Sequence, residues 1–153
     1  MHLAELIRQS RFASPAQEAV LNVIATESWL AGEIADALAP YGVTPTQYNV
    51  LRILRGGHPE PYTCSMIAER LLDRTPDVTR LLCRLEREDL ITRCRGAHDR
   101  RVVEVSITEK GLALLDRLDA PVQALMERIT RHLSEDELRT LSRLLEALRA
   151  DQA

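Results

Sequence analysis

Apolar residues recur every three or four positions along most of the chain, which is the spacing of amphipathic helices. Most of these runs begin beside a serine, threonine or aspartate that can cap a helix, and three of the starts also contain proline in the first turn. The pattern predicts six helices, at about 14–39, 45–55, 64–72, 76–89, 109–132 and 135–150. A short leading helix is predicted at about residues 3–10, so the fold class is mainly α.

Residues 92–108 follow a different period. Val103, Val105 and Ile107 occupy alternate positions, as the inward side chains of a half-buried strand do. We predict that this strand pairs with residues 92–95 across a basic loop at residues 96–101. The resulting β-hairpin, called the wing below, directly follows two short predicted helices. That order is typical of a winged helix-turn-helix.

The two short helices before the wing form the predicted helix-turn-helix, with the turn at residues 73–74. The second helix of such a motif, the recognition helix, enters the major groove of DNA. When its apolar residues are turned inward at about 100° per residue, its outward face presents hydroxyl, carboxylate and guanidinium groups. Arg80 is suited to guanine or phosphate, and Asp77 is suited to cytosine. The DNA-contacting residues predicted in this region are Thr75, Pro76, Asp77, Thr79, Arg80 and Arg84.

The tip of the wing supplies a second basic surface. Narrow minor grooves attract arginine side chains, and Asp99 is placed to orient Arg101 by a charge-assisted hydrogen bond. We therefore expect the wing to enter the minor groove beside the recognition helix. The DNA-contacting residues predicted in the wing are Arg95, His98, Asp99, Arg100 and Arg101.

The charge distribution supports this interpretation, although the chain as a whole is acidic. The 153 residues include 20 Lys and Arg against 23 Asp and Glu, a net charge of −3. Residues 70–101 hold nine arginines and six acidic residues, so this segment is +3 and the remainder is −6. The apolar content of 45% is typical of a globular protein. Because the sequence has neither a membrane-spanning run nor a signal-peptide core, we expect a cytoplasmic protein without a membrane partner.

The terminal helices have more apolar surface than one small core requires. The first long helix has apolar residues on two faces, and the last helix has a stripe of leucines. We interpret this excess as a homodimer interface formed by residues 1–43 and 109–153, on either side of a DNA-binding region at residues 44–108. Packing within a single chain is the alternative.

These motifs resemble those of the MarR family of bacterial transcription regulators. The resemblance is carried by Thr75-x-x-x-Thr79-Arg80-Leu81 with Leu85-Glu86-Arg87-Glu88-Asp89-Leu90-Ile91-x-Arg93, and by Asp99-Arg100-Arg101 followed by Val105-Ser106-Ile107-Thr108-x-x-Gly111. Leu72 and Asp89 stand where the family usually has glycine. The resemblance implies a homodimer, joined through the first, fifth and sixth long helices, on a near-palindromic operator in double-stranded DNA. We expect it to act as a repressor.

The resemblance also implies release from DNA, either by a small aromatic or phenolic ligand or by cysteine oxidation. Ligands of the family bind between the dimer helices and the winged domain, where the nearest aromatic side chains are Trp29, Tyr41 and Tyr48. Ordinary core packing is the alternative for each of them. Cys83 is predicted to project among arginines on the outward face of the recognition helix. It is the redox candidate, because nearby positive charge favours the thiolate.

Other functions have weaker support. The sequence contains neither a G-x-S-x-G motif nor a P-loop, and a hydrolase built on Cys64 and His58 would lack a third, orienting group. The three cysteines form no C-x-x-C pair and the four histidines are scattered, so we expect neither a metal nor a cofactor. We do not expect an enzyme. A winged helix that serves protein contacts alone is the main alternative.

Overall fold

The computed structural model describes residues 2–9, 11–72, 77–96 and 102–150. Over these ranges, seven α-helices and one short 3-10 helix (Ala39–Tyr41) accompany a small antiparallel sheet. The helices are α1 (Leu3–Leu6), α2 (Pro15–Leu38), α3 (Pro45–Gly57), α4 (Cys64–Arg70), α5 (Val78–Arg87), α6 (Glu109–Thr130) and α7 (Glu135–Leu148). The strands are β1 (Tyr62–Thr63), β2 (Ile91–Arg95) and β3 (Val103–Ile107).

The six longer helices confirm the predicted ones, with every end within two residues. Hydroxyl caps explain this agreement, because Ser14, Thr44, Thr63, Thr108 and Ser134 each accept a hydrogen bond from a backbone N–H in the first turn of a helix. The leading helix α1 is shorter than predicted. It ends before Arg8, whose φ of 53° lies in the left-handed region.

The helix α5 begins two residues later than predicted. Asp77 has an extended backbone, and its carboxylate accepts a hydrogen bond from the backbone N–H of Arg80 at 3.1 Å. Asp77 is therefore the N-cap, so the helix does not include it. The predicted start at Thr75 and Pro76 lies outside the described residues.

The sheet has three strands in the order β1-β3-β2, one more than predicted. The predicted hairpin of β2 and β3 is confirmed, with Arg93 opposite Val105. The additional strand β1 pairs with the other edge of β3, where Tyr62 lies opposite Val105. Two residues are too few to show a period-two pattern, so the sequence carried no signal for β1.

One hydrophobic core lies between α3, α4, α5, the sheet, the end of α2 and the first half of α6. The apolar side chains on the inner side of the helix-turn-helix pack in this core: Ile67, Leu71, Leu82 and Leu85 are buried, and Val78 and Leu81 are partly buried. The largest fully buried side chains are Leu38, Leu51, Leu54, Ile67, Leu82, Leu85, Ile91, Leu115 and Leu118. Because Leu82 and Leu85 are buried, the opposite face of α5 points outward.

The terminal helices leave much of their apolar surface exposed. None of the residues of α7, all of which are described, is buried, and Leu38 is the only buried residue of α2. Exposed large apolar side chains on these helices include Val20, Ile24, Trp29, Leu141, Leu144 and Leu148. Several exposed large apolar side chains on the same helices are typical of a protein interface. Within the described ranges, no helix is both long and apolar enough to cross a membrane.

A short junction connects the end of the recognition helix, the wing and α6. The Thr108 hydroxyl donates to the carbonyl oxygen of Asp89 at 2.7 Å and accepts from the backbone N–H of Gly111 at 3.1 Å. The backbone N–H of Thr108 also donates to the carbonyl oxygen of Leu90 at 3.1 Å. We call these four residues the Thr108 junction. Asp89 has a φ of 57°, which explains why glycine is usual there and why a short polar residue is accommodated.

A second tie joins α3 to α6. The Arg55 guanidinium donates to both carboxylate oxygens of Asp119 at 2.9 Å, and it lies 3.7 Å from Asp116. These hydrogen bonds hold the pKa of Asp119 below its ordinary value and raise the pKa of Arg55. The bidentate geometry fixes the relative orientation of two elements that are 64 residues apart in sequence.

We expect Gly111→Ala to destabilise the protein. A Cβ atom at position 111 would lie 2.4 Å from the carbonyl oxygen of Leu90 and 2.7 Å from the Ile107 side chain. The overlap should lower the free energy of unfolding by about 1–3 kcal/mol, measured by urea denaturation. Gly32→Ala is the matched control, because nothing lies within 4 Å of its added Cβ. In the helix α2 that change should stabilise by about 0.5–1 kcal/mol, and equal effects of the two substitutions would contradict the prediction.

We also expect the contribution of Asp119 to depend on pH. The pKa of Asp119 in the folded protein lies below the ordinary value of 3.8. The ion pair with Arg55 therefore stabilises the fold fully above pH 3.8, and this stabilisation is lost as the pH falls through the lower pKa of the folded protein. Both groups are partly exposed, so Asp119→Asn should cost only about 0.5 kcal/mol near neutral pH. Urea denaturation should show this difference shrinking below pH 3.8. Asp116→Asn is the control and should cost less; a difference independent of pH would contradict the prediction.

Candidate nucleic-acid interface

The outward face of α5 is polar and basic. Thr79, Arg80, Arg84 and Arg87 are exposed on it, whereas the opposite face of the helix is anchored in the core. At the amino-terminal end of the helix, the Asp77 carboxylate accepts a hydrogen bond from the backbone N–H of Arg80. Three guanidinium groups therefore lie along the accessible side of one rigid element.

Two grooves follow this face. One, of about 410 Å³, is lined by Asp77, Arg80, Leu81 and Arg84. The other, of about 420 Å³, shares Arg84 and is lined in addition by Gln47, Arg87 and Glu88, so it extends to the start of α3. Guanidinium groups bind phosphate oxygens and the acceptor edge of guanine in bidentate geometry. The surface is chemically suited to the major groove of DNA and its flanking phosphates.

The stem of the wing stands beside α5. Arg95 is exposed at the end of β2, opposite Val103, and the backbone N–H of Gly96 donates to the carbonyl oxygen of Val102 at 2.9 Å. Five of the predicted DNA contacts are described by the structure and are exposed: Asp77, Thr79, Arg80, Arg84 and Arg95. The others, Thr75, Pro76, His98, Asp99, Arg100 and Arg101, lie outside the described residues.

An ion pair ties the recognition helix to the wing. One carboxylate oxygen of Glu86 in α5 accepts hydrogen bonds from Nε and Nη2 of Arg93 in β2, at 2.9 and 2.5 Å. These bonds lower the pKa of Glu86 and raise the pKa of Arg93. Sequence reasoning included both residues only as parts of the family motif. Their contact was not predictable from the sequence, because neither helical nor strand periodicity extends across the loop between α5 and β2.

Cys83 is half-buried on α5, three residues after Arg80 and four before Arg87, so it shares a side of the helix with these arginines. After Glu86, the Cys83 thiol is a smaller cause of the raised pKa of Arg93 in β2. The redox role of Cys83 stays a prediction.

The structure does not bring the three predicted ligand-binding aromatic residues into one cavity. Trp29 is 49% exposed on α2 and lines a groove of about 410 Å³ that also includes Leu3 and Leu6 of α1. Tyr41 lines a separate cavity of about 210 Å³. Tyr48 packs against the core, with the Arg52 guanidinium 5.9 Å from the centre of its ring. Trp29 and Tyr41 thus line different cavities, whereas Tyr41 and Tyr48 pack against the same core.

Cys64, considered above for a hydrolase, is partly buried and packs against the hydrophobic core. Across the described parts of the chain, no group of three or more His, Cys, Asp or Glu side chains could hold a metal ion.

A helix-turn-helix with an outward basic second helix, followed by a β-hairpin, defines a winged-helix DNA-binding protein. The sequence profile of the MarR family matches residues 41–102. The transcriptional repressor MdtR of Bacillus subtilis is 34% identical over 106 residues, which cover 69% of this chain and 67% of MdtR. The chain belongs to the MarR family of transcriptional regulators, and the resemblance seen in its motifs is confirmed.

Solved structures agree with this assignment. A MarR transcription factor from Planctomyces limnophilus is 41% identical, with a TM-score of 0.70, over 90% of this chain and 99% of the other. A mutant MarR from E. coli, complexed with operator DNA, is 27% identical with a TM-score of 0.74, over 83% and 91% of the two chains. The winged-helix fold is therefore confirmed.

Proposed function

We propose that the protein is a sequence-specific repressor that binds an operator in double-stranded DNA. The observation that carries this proposal is the exposed basic face of α5, which projects from a buried core beside the stem of the wing. Operator DNA is the ligand of the related E. coli structure, and MdtR is a repressor, so both properties are consistent with the family. Such a protein acts on the chromosome, and we accordingly propose a cytoplasmic location.

The proposed docking places α5 in the major groove. Arg80 and Arg84 contact guanine or phosphate, and Thr79 contacts a base or the backbone. Asp77 caps the helix and holds these groups in place. Thr75 and Pro76 precede the cap in the sequence and complete this contact region. The wing enters the adjacent minor groove through Arg95 and the tip residues His98, Asp99, Arg100 and Arg101.

The proposed active form is a homodimer. Residues 1–43 and 109–153 form its interface, and residues 44–108 form the DNA-binding region of each protomer. The exposed leucines of α7 and the exposed apolar side chains of α2 support this division, because a second copy of the same surface would cover them. Two-fold symmetry of the protein then requires a near-palindromic operator.

We propose that a small aromatic or phenolic ligand releases the protein from DNA. The cavity at Tyr41 supports this, because it lies between the segment before α3, the end of α5 and the first half of α6, and is also lined by Glu88, Lys110 and Arg117. A phenolic compound would match the tyrosine ring and these polar residues. Trp29 lines a different groove and Tyr48 packs against the core, so the participation of each would depend on the second protomer.

Selection from random duplex DNA tests the main proposal. The purified, reduced protein, at about 150 mM salt, should enrich an inverted repeat whose halves are about one helical turn apart. Arg80→Ala and Arg101→Ala should each weaken binding to that repeat by about 1–3 kcal/mol, measured by fluorescence anisotropy. Arg52→Ala is the control, since Arg52 is exposed on α3 and belongs neither to the predicted DNA contacts nor to the proposed dimer interface. Absence of enrichment from folded protein would favour a role in protein contacts alone.

A redox-responsive regulator is the second candidate. The observation that favours it is the position of Cys83, which is half-buried on α5 one turn from the exposed arginines Arg80 and Arg87. Attack of the Cys83 thiolate on a peroxide would give a sulfenic acid and release water or an alcohol. The added oxygen would crowd the packing between α5 and β2.

If this second candidate is correct, peroxide should weaken operator binding by the parent protein at least tenfold, on the order of 1.4 kcal/mol, but should leave Cys83→Ser unaffected. Anisotropy titrations before and after treatment measure the change. Cys94→Ser is the control, since Cys94 is exposed on β2 and its removal should leave the peroxide effect intact. Equal losses in the parent and in Cys83→Ser would exclude Cys83 as the sensor.

A further inference from the structure

The Glu86–Arg93 ion pair joins the two elements that face DNA in the proposed function. Both Arg93 nitrogens bind the same Glu86 oxygen, and the side chains are only 39% and 24% exposed for Glu86 and Arg93. Partial burial shields the pair from solvent, so its geometry is better defined than that of a fully exposed pair. The tie spans the loop between the carboxyl end of α5 and the start of the wing.

Arg93 lies in the middle of β2, between a buried residue and an exposed residue of the same strand face. Side chains alternate along a strand, so Ile91, Arg93 and Arg95 share one face. Ile91 is buried in the core, Arg93 is half-buried against α5, and Arg95 is exposed. Among the described residues, Arg93 is therefore the last side chain of this face that is held by burial and hydrogen bonds before the tip of the wing.

We propose that Glu86 and Arg93 are positioning residues for DNA recognition. They fix the wing relative to α5, so that the major-groove and minor-groove contacts fit the same half-site. Neither residue needs to contact DNA for this role. The inference rests on the proposed DNA-binding function and adds the element that sets its geometry.

The charge of Glu86 and its positioning role predict opposite effects on DNA binding when Glu86 is removed, and this difference provides a test. Glu86 is a negative charge on a helix whose exposed side chains include Arg80, Arg84 and Arg87. A carboxylate near DNA repels the phosphates, so its removal by charge alone should strengthen binding to any duplex. If Glu86 positions the wing, its removal should instead weaken binding to the operator.

The experiment compares Glu86→Ala with Glu88→Ala. Glu88 is exposed at the same end of α5 and lines the groove with Arg84 and Arg87, so its removal changes the net charge equally without breaking the ion pair. Glu88→Ala should bind the selected operator as tightly as the parent or more tightly. Glu86→Ala should bind it about tenfold more weakly, yet bind an unrelated duplex no more weakly than the parent.

Footprinting separates positioning from general destabilisation. In Glu86→Ala, hydroxyl-radical protection of the minor groove should decrease, while protection of guanines in the major groove by α5 is retained. The double variant Glu86→Arg with Arg93→Glu should recover at least half of the lost operator preference.

Glu86→Gln, which retains the shape of the side chain, provides a second variant. Its loss of operator affinity should be smaller than that of Glu86→Ala. Circular dichroism checks that each variant is folded.

Two outcomes would overturn the inference. If folded Glu86→Ala and Glu86→Gln bind the operator as Glu88→Ala does, the ion pair does not position the wing, although the proposed DNA-binding function stands. If the parent protein itself selects no preferred duplex, the proposed function fails, and the inference fails with it. A tenfold loss restored by the charge-reversed pair would support both.

Discussion

The hydroxyl group of Thr108 lies where three elements of the protein meet. It caps α6, and it also binds the carbonyl oxygen of Asp89, the residue at which the chain turns from the recognition helix toward the wing. A single side chain therefore fixes the end of α5, the end of β3 and the start of α6 with respect to one another. The close approach of Gly111 to Leu90 leaves no room for a side chain at position 111. The orientation of the DNA-facing surface relative to the terminal helices depends on this contact.

The recognition helix is held at both ends and along one face. Asp77 satisfies a backbone N–H at its start, Glu86 binds the wing near its end, and Leu82 and Leu85 fill the core between them. A ten-residue helix is too short to be stable alone in water, so these ties provide most of its stability. They also leave its arginines in solvent, where exposed like charges are screened. A rigid, basic and accessible surface is the result.

Features determined by neighbouring residues were predictable from the sequence, and those determined by tertiary contacts were not. The caps at Ser14 and Thr44 act within one turn, so the helix starts followed directly from the sequence. The strand β1 was missed because two residues form no period, and its pairing depends on β3. The ion pair of Glu86 with Arg93 was not predicted, because helical rotation alone does not reveal the neighbouring β2. The separation of Trp29 from Tyr41 likewise depends on how the helices pack.

The exposure of α7 links folding to the amount of protein present. A helix of 14 residues with no buried side chain has little reason to persist in a lone chain. If a second copy covers its leucine stripe, pairing and ordering of α7 become one equilibrium that depends on protein concentration. Dilution would then reduce both the helix content and the number of paired DNA-binding surfaces. The cellular level of the protein would thus set a threshold below which an operator is left unoccupied, even in the absence of any ligand.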